Sequence, residues 1–110
     1  MTNYSIYQLA NMHDSRYGFM GWEFAKDNGF NINDYICTYE GNLTHRSGDE
    51  PEDKSIALEL LFERFNIERP EDFKGHSLSV SDVVELTIDG KTDYYYCDSF
   101  GWENISQHVA

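Results

Sequence analysis

Hydrophobic and polar positions change period several times along this chain, and each change marks an element. Residues 4–9 alternate and end at polar neighbours, which predicts a first strand with Tyr4, Ile6 or their neighbours facing inward. Residues 17–28 carry Phe19, Met20, Trp22 and Phe24 and stop at Asn28-Gly29, a C-cap signal, so a short helix is expected there. Gly18 and Gly21 lower its intrinsic propensity. Residues 34–43 read as a second strand, with Tyr35, Cys37 and Tyr39 on one face and Ile36, Thr38 and Glu40 on the other. Residues 44–50 form a polar loop, expected to be the most mobile part.

The clearest helix comes next. Pro51 suits the first helical position, where no N–H partner is needed, and Glu52 and Asp53 suit the positive end of the helix dipole. Ala57, Leu58, Leu61, Phe62 and Phe65 recur at helical spacing and make a core-facing stripe. Glu52, Glu59 and Glu63 fall on another face, and the like-charged pair Glu59/Glu63 at i, i+4 costs a few tenths of a kcal/mol. Ile56 and Leu60 lie roughly opposite the stripe, either covered by the N-terminal segment or exposed to a partner. Pro70 prevents the helix from continuing through the connector at residues 66–75.

Residues 83–88 predict a third strand with Val84, Leu86 and Ile88 inward and Glu85 and Thr87 outward. Asp89-Gly90 is the strongest hairpin signal in the chain, and residues 92–99 supply a fourth strand. A two-residue turn sets Leu86 opposite Asp93, an awkward pair, whereas a longer loop sets Tyr95 there, so the register stays open. The whole predicts an α+β fold: a small, mostly antiparallel four-stranded sheet with two helices on one side, in the order β-α-β-α-β-β. One domain over residues 1–110 is expected at this length.

Composition narrows the function classes. Hydrophobic content of 40% and aromatic content of 15% exclude a disordered chain. Against 8 basic residues stand 20 acidic ones, a net charge of −12. Such a charge repels nucleic acid and anionic membranes, attracts basic protein surfaces and also keeps a protein soluble. No apolar run is long enough to span a bilayer, and the start Met1-Thr2-Asn3-Tyr4 lacks a basic n-region. A cytoplasmic location is therefore expected, with Cys37 and Cys97 as reduced thiols in buried packing roles.

Candidate chemistry is sparse. His13, His45, His76 and His108 are isolated, without metal-site spacing, so neither metal nor cofactor is expected. Residues 76–82 bring imidazole, hydroxyls and a carboxylate together, yet nothing places a serine on a strained elbow, and Ser and Asp commonly cap turn amides. No cationic neighbour activates either cysteine, and the glycines are too scattered to cradle a phosphate. The run Tyr94-Tyr95-Tyr96 reads as strand packing rather than a base-stacking platform. No catalytic residue is assigned, and an enzyme is not expected.

Carboxylates remain. Glu52 and Asp53 open the main helix, Glu59 and Glu63 continue along it, and Glu85, Asp89 and Asp93 lie on the hairpin. Their spacing lacks the Asp-x-Asp-x-Asp-Gly of a calcium loop. These seven are the candidate partner-binding residues.

A family resemblance covers most of the chain. It is carried by Phe65-Asn66-Ile67, Pro70-Glu71-Asp72-Phe73, Gly75-His76-Ser77-Leu78-Ser79-Val80-Ser81-Asp82-Val83-Val84, Gly90, and Tyr96-Cys97-Asp98-Ser99-Phe100-Gly101-Trp102. Residues 61–102 resemble the YodL-like domain found in plasmid, conjugative-element and phage proteins of Gram-positive bacteria, and residues 4–43 resemble its N-terminal part more loosely. Cys97 stands where that family more often has a bulky aliphatic residue or valine, which argues against a catalytic thiol. The resemblance implies a mobile-element setting and carries over no catalytic residues. Joined to the charge, it suggests an acidic binding protein that blocks a basic host protein of anti-CRISPR or anti-restriction type. Its target is then a CRISPR effector nuclease or a restriction enzyme, held at the basic nucleic-acid groove, with no direct nucleic-acid or membrane contact. The alternative is an interaction module of mobile-element assemblies that docks through Trp22, Ile56, Leu60 and Trp102. Self-association stays open under both.

Overall fold

The computed structural model describes residues 1–109; Ala110, the last residue of the expected domain span, lies outside the described residues. Five strands and two helices follow in order: β1 (Thr2–Leu9), α1 (Trp22–Asp27), β2 (Tyr35–Asn42), α2 (Lys54–Asn66), β3 (Val83–Ile88), β4 (Lys91–Asp98) and β5 (Gly101–Asn104). All strand pairs are antiparallel, in the sheet order β2-β1-β3-β4-β5. The α+β class holds. The expected four strands become five because the chain reverses again after Asp98, pairing Cys97 with Trp102 and Asp98 with Gly101.

Both faces of the sheet are covered, by one helix each. Val83 and Val84 are adjacent on β3 and therefore point to opposite faces, and both are fully buried. Val84 packs with Tyr4, Ile6, Leu86 and Tyr95 against Ala57, Leu58, Leu61 and Phe65 of α2. Val83 packs with Leu9, Tyr35, Tyr96 and Ile105 against Trp22 and Ala25 of α1. The expectation of both helices on one side is thus corrected. Burying Leu58, Leu61 and Phe65 stabilises the fold by about 1.5–3 kcal/mol each.

Local chemistry accounts for the other departures. Helix α1 starts at Trp22 rather than Tyr17. Before it, Gly18 lies so close to the Met12 carbonyl that a Cβ would sit 2.2 Å from its oxygen. Helix α2 starts after Asp53, whose carboxylate accepts the Ile56 amide at 2.9 Å, so Asp53 is the N-cap and Pro51 precedes the helix. Phe62, expected in the core stripe, is exposed.

In β2 the register slips between Ile6/Tyr7, so Ile6 faces Tyr39 while Tyr7 faces Cys37. This bulge puts Tyr39 on the α2 face, beside Phe65 and Phe73, and leaves Tyr35 and Cys37 on the α1 face. Cys37 is exposed there instead of buried, whereas Cys97 is buried as expected. The β3–β4 hairpin takes the two-residue turn, with φ of 49° at Asp89 and 85° at Gly90. It does set Leu86 opposite Asp93, and the carboxylate escapes by accepting the Ser106 hydroxyl at 2.9 Å.

Candidate functional site

The structure does not gather the seven candidate acids onto one surface. Glu59 and Glu63 lie exposed on the outer side of α2, with no hydrogen-bond or ion-pair partner among the described residues. Glu52 meets His45 Nε2 at 2.5 Å, and Asp53 is used by the N-cap. Glu85 lies on the opposite face of the sheet from α2, half-buried, and accepts the Tyr94 hydroxyl at 2.5 Å. That bond, more than burial, pushes the Tyr94 phenol up to about 12. At the hairpin tip Asp89 takes the N-terminal ammonium at 3.0 Å, and Asp93 holds Ser106. Only the α2 pair is free to meet a partner's cations without first losing an internal contact.

A second constellation centres on Asp82, the carboxylate of the stretch at residues 76–82. It is fully buried. Its Oδ2 accepts the Ser79 amide at 2.8 Å and the Gln8 side-chain amide at 3.1 Å, while His76 Nε2 stands 3.7 Å from Oδ1. Gln8, also buried, donates to the His76 carbonyl at 2.8 Å and so ties the connector to β1. Asp82 Oδ1 and Gln8 Oε1 are buried without a hydrogen-bond partner. Burial pushes the Asp82 carboxyl up to about 7, opposed by the Ser79 amide, the His76 imidazole and the Gln8 amide. A carboxylate between Ser81 and the apolar pair Val83-Val84 was the only local signal that it turns inward. Gln8 carried none.

No serine hydroxyl is hydrogen-bonded to the His76 ring among the described residues. Nδ1 lies 2.7 Å from the Ser77 carbonyl and Nε2 is directed at Asp82, while the Ser79 hydroxyl donates to Ser77 O. The hydroxyls of this stretch therefore close turns, as their sequence context suggests. Neither cysteine is activated. Burial raises the Cys37 thiol, and burial, with Asp82 and Asp98 nearby, pushes Cys97 up to about 12. Among the described residues, no group of three or more His, Cys, Asp or Glu side chains could hold a metal ion. Nor, among them, is any helix long and apolar enough to cross a membrane.

The stretch from Gly75 to Val84 is thus one clasp, and it is also the longest run among the residues that carry the resemblance. The YodL-like domain matches residues 3–108. This chain belongs to that family. The match reaches both ends of the sheet, from β1 to the 3₁₀ turn at Ser106–His108. No curated protein and no solved structure matches the chain.

Within this YodL-like domain several of the residues that carry the resemblance have structural employment. A Cβ on Gly75 would sit 2.1 Å from Gln8 Oε1, so any side chain there must displace the amide. Ser81 takes a positive φ of 87°, its hydroxyl accepts the Phe19 amide at 3.1 Å, and its carbonyl accepts the Tyr35 hydroxyl at 2.6 Å. Asp98 accepts the Trp22 amide at 3.3 Å, joining the β4–β5 turn to the start of α1.

Two grooves flank the clasp and the first loop. One of about 490 Å³ runs between β2 and the connector, lined by Gln8, Ile36, Cys37, Thr38, Lys74 and His76 among others. The larger, about 540 Å³, is walled by Asn11, Asp14, Arg16, Tyr17, Asn33 and Asp34, and none of its side chains is a buried polar group without a partner.

Proposed function

We propose that this YodL-like domain is a non-catalytic binding protein of a Gram-positive mobile element, such as a plasmid or phage. It occupies the basic nucleic-acid groove of a host defence protein, a CRISPR effector nuclease or a restriction enzyme. One observation carries this reading: Glu59 and Glu63 stand one helical turn apart on α2, exposed and unpaired among the described residues, on a chain of net charge −12. Phe62, exposed between them in sequence, offers an apolar anchor beside the charges. Carboxylates in this setting replace phosphate contacts with Arg and Lys, so inhibition falls as salt rises. The internally bonded acids Asp53, Glu85, Asp89 and Asp93 contribute to the field rather than to contacts. The test is DNA cleavage by a purified CRISPR effector nuclease and a restriction enzyme, with and without the chain. Inhibition that weakens with salt and is lost in the double variant Glu59→Lys/Glu63→Lys supports the reading. No inhibition, or inhibition unchanged by the reversal, refutes it.

A second reading, an apolar docking module of a mobile-element assembly in the cytoplasm, draws on a different observation. Phe19, Met20, Phe24 and Phe100 are exposed around the start of α1 and the β4–β5 turn. Of the residues expected from sequence, Trp22 is buried, Leu60 and Trp102 are partly buried against the core, and Ile56 is half-buried. Salt-insensitive binding lost on Phe100→Ser favours this reading over the first.

A further inference from the structure

Met12 is tied to the fold through its sulfur. The Ser81 hydroxyl donates to Met12 Sδ at 3.5 Å, and the oxygen of that same hydroxyl accepts the Phe19 amide at 3.1 Å. Of the three methionines, only Met12 has its sulfur in a hydrogen bond among the described residues.

Around this contact the chain is strained and closely fitted. Ser81 is fully buried at a φ of 87°. Its amide donates to the Cys97 carbonyl at 3.0 Å and its carbonyl accepts the Tyr35 hydroxyl at 2.6 Å, so Ser81 is fastened to the sheet. Phe19 is exposed at a φ of 64°, which a residue with a Cβ keeps only while its surroundings enforce it. Three bonds do so: the Phe19 amide to Ser81, the Met20 amide to the Tyr17 carbonyl at 2.9 Å, and the Tyr96 hydroxyl to the Met20 carbonyl at 2.6 Å. Gly18 packs on Met12 as well, since a Cβ there would stand 2.2 Å from the Met12 carbonyl oxygen and 3.3 Å from its sulfur.

From this arrangement we propose that Met12 is an oxidation site through which a peroxide releases the Phe19 loop. Met12 is half-buried, so a molecule as small as hydrogen peroxide reaches its thioether. A sulfur lone pair attacks one peroxide oxygen, an S–O bond forms and the O–O bond breaks. The leaving hydroxide takes the proton of the transferred oxygen and departs as water. Sulfur has given up an electron pair, and the peroxide is reduced by it. The product does not fit the existing contact. An O–H···O bond alone takes about 2.7 Å, and the whole gap from Met12 Sδ to Ser81 Oγ is 3.5 Å, which leaves less than an S–O bond needs. Ser81 is held by the sheet, so Met12 moves. Gly18 carries that shift to Phe19, whose amide leaves Ser81 and whose backbone relaxes. Phe19 belongs to the apolar surface of the second reading, but the oxidation site stands without it.

The test treats the full chain carrying Cys37→Ser and Met20→Leu with hydrogen peroxide, so that the exposed thiol and the exposed thioether next to Phe19 contribute nothing. Peptide mass mapping reads oxygen at Met1 and Met12 separately, and amide hydrogen exchange at Phe19 is followed by NMR. Expected is one oxygen on Met12 with Phe19 exchange at least about tenfold faster. The two methionine sulfoxide reductases, one for each epimer, should reverse both changes. Adding Met12→Leu removes the sulfur, so Phe19 exchanges fast from the outset and peroxide changes it no further. The proposal is overturned if Met12 stays unoxidised while Met1 is converted, if Phe19 exchange is unchanged once Met12 carries oxygen, or if peroxide still accelerates it in the Met12→Leu variant.

Discussion

The amide of Gln8 reaches 74 residues along the chain to donate a 3.1 Å hydrogen bond to the buried carboxylate of Asp82. Through it β1, an inner strand of the sheet, holds the start of β3, and the same amide also donates to the His76 carbonyl. The pair is a fastener whose strength varies with pH, because one partner is an acid deprived of water.

Asp82 sets the sign of that variation. Its carboxyl is raised from 3.8 to about 7 in the folded chain, so folding favours the protonated form. Stability is then highest below the unfolded value and falls as pH rises between about 4 and 7, by up to about 1.4 kcal/mol per pH unit from this group. Above that window the contribution is flat. Asp82→Asn keeps an oxygen for Ser79 and Gln8 and removes the titration. Urea unfolding at pH 5 to 8 should show the wild type losing stability relative to Asp82→Asn as pH rises; parallel curves would mean that Asp82 is not the group responsible.

Gly75 should resist the smallest enlargement. A methyl group there meets Gln8 Oε1 at 2.1 Å and the Phe73 ring at 2.9 Å. Gly75→Ala is expected to cost about 1–3 kcal/mol, through displacement of the Gln8 amide as well as overpacking. Paired denaturation curves measure the loss, and Gln8→Ala in the same background should recover part of it, since the two substitutions share one contact.

Acids with different employment should respond differently. Asp53→Ala removes the N-cap of α2 and should cost about 1 kcal/mol. Glu59→Lys/Glu63→Lys exchanges one like-charged pair for another while reducing the large net negative charge, and should leave thermal stability unchanged or slightly higher. Calorimetry on both variants separates a binding defect from a folding defect.

The thiols divide by burial. Cys37 is exposed and Cys97 buried, with its thiol pushed up to about 12. A chromogenic disulfide reagent at pH 8 should label one thiol per native chain and two after unfolding. Rapid labelling of both in the native protein would contradict the packing of β4.

Phe19 is an exposed aromatic held at a φ of 64°, a conformation that strains a residue with a Cβ. Phe19→Gly should raise stability by about 1 kcal/mol. If the apolar docking reading is right, the same variant binds its partner less well, so stability and binding move in opposite directions.

Local pattern alone was enough for the position of the β3–β4 hairpin though not its register, for the end of β1 at Leu9, for the four buried stripe residues of α2 and for the inward set Val84, Leu86 and Ile88. Those features depend on the 3.6- and two-residue periods and on Asp89-Gly90, which act over a few neighbours. Tertiary pairing decided the rest. The bulge that turns Tyr39 to the α2 face exists because β2 must match β1, and β5 forms because β4 offers it an edge. Which face each helix covers, and which of 20 acids goes inside, depends on contacts between residues as distant as Gln8 and Asp82. A period written into one segment cannot specify a partner in another, so the clasp became visible only once the strands were placed side by side.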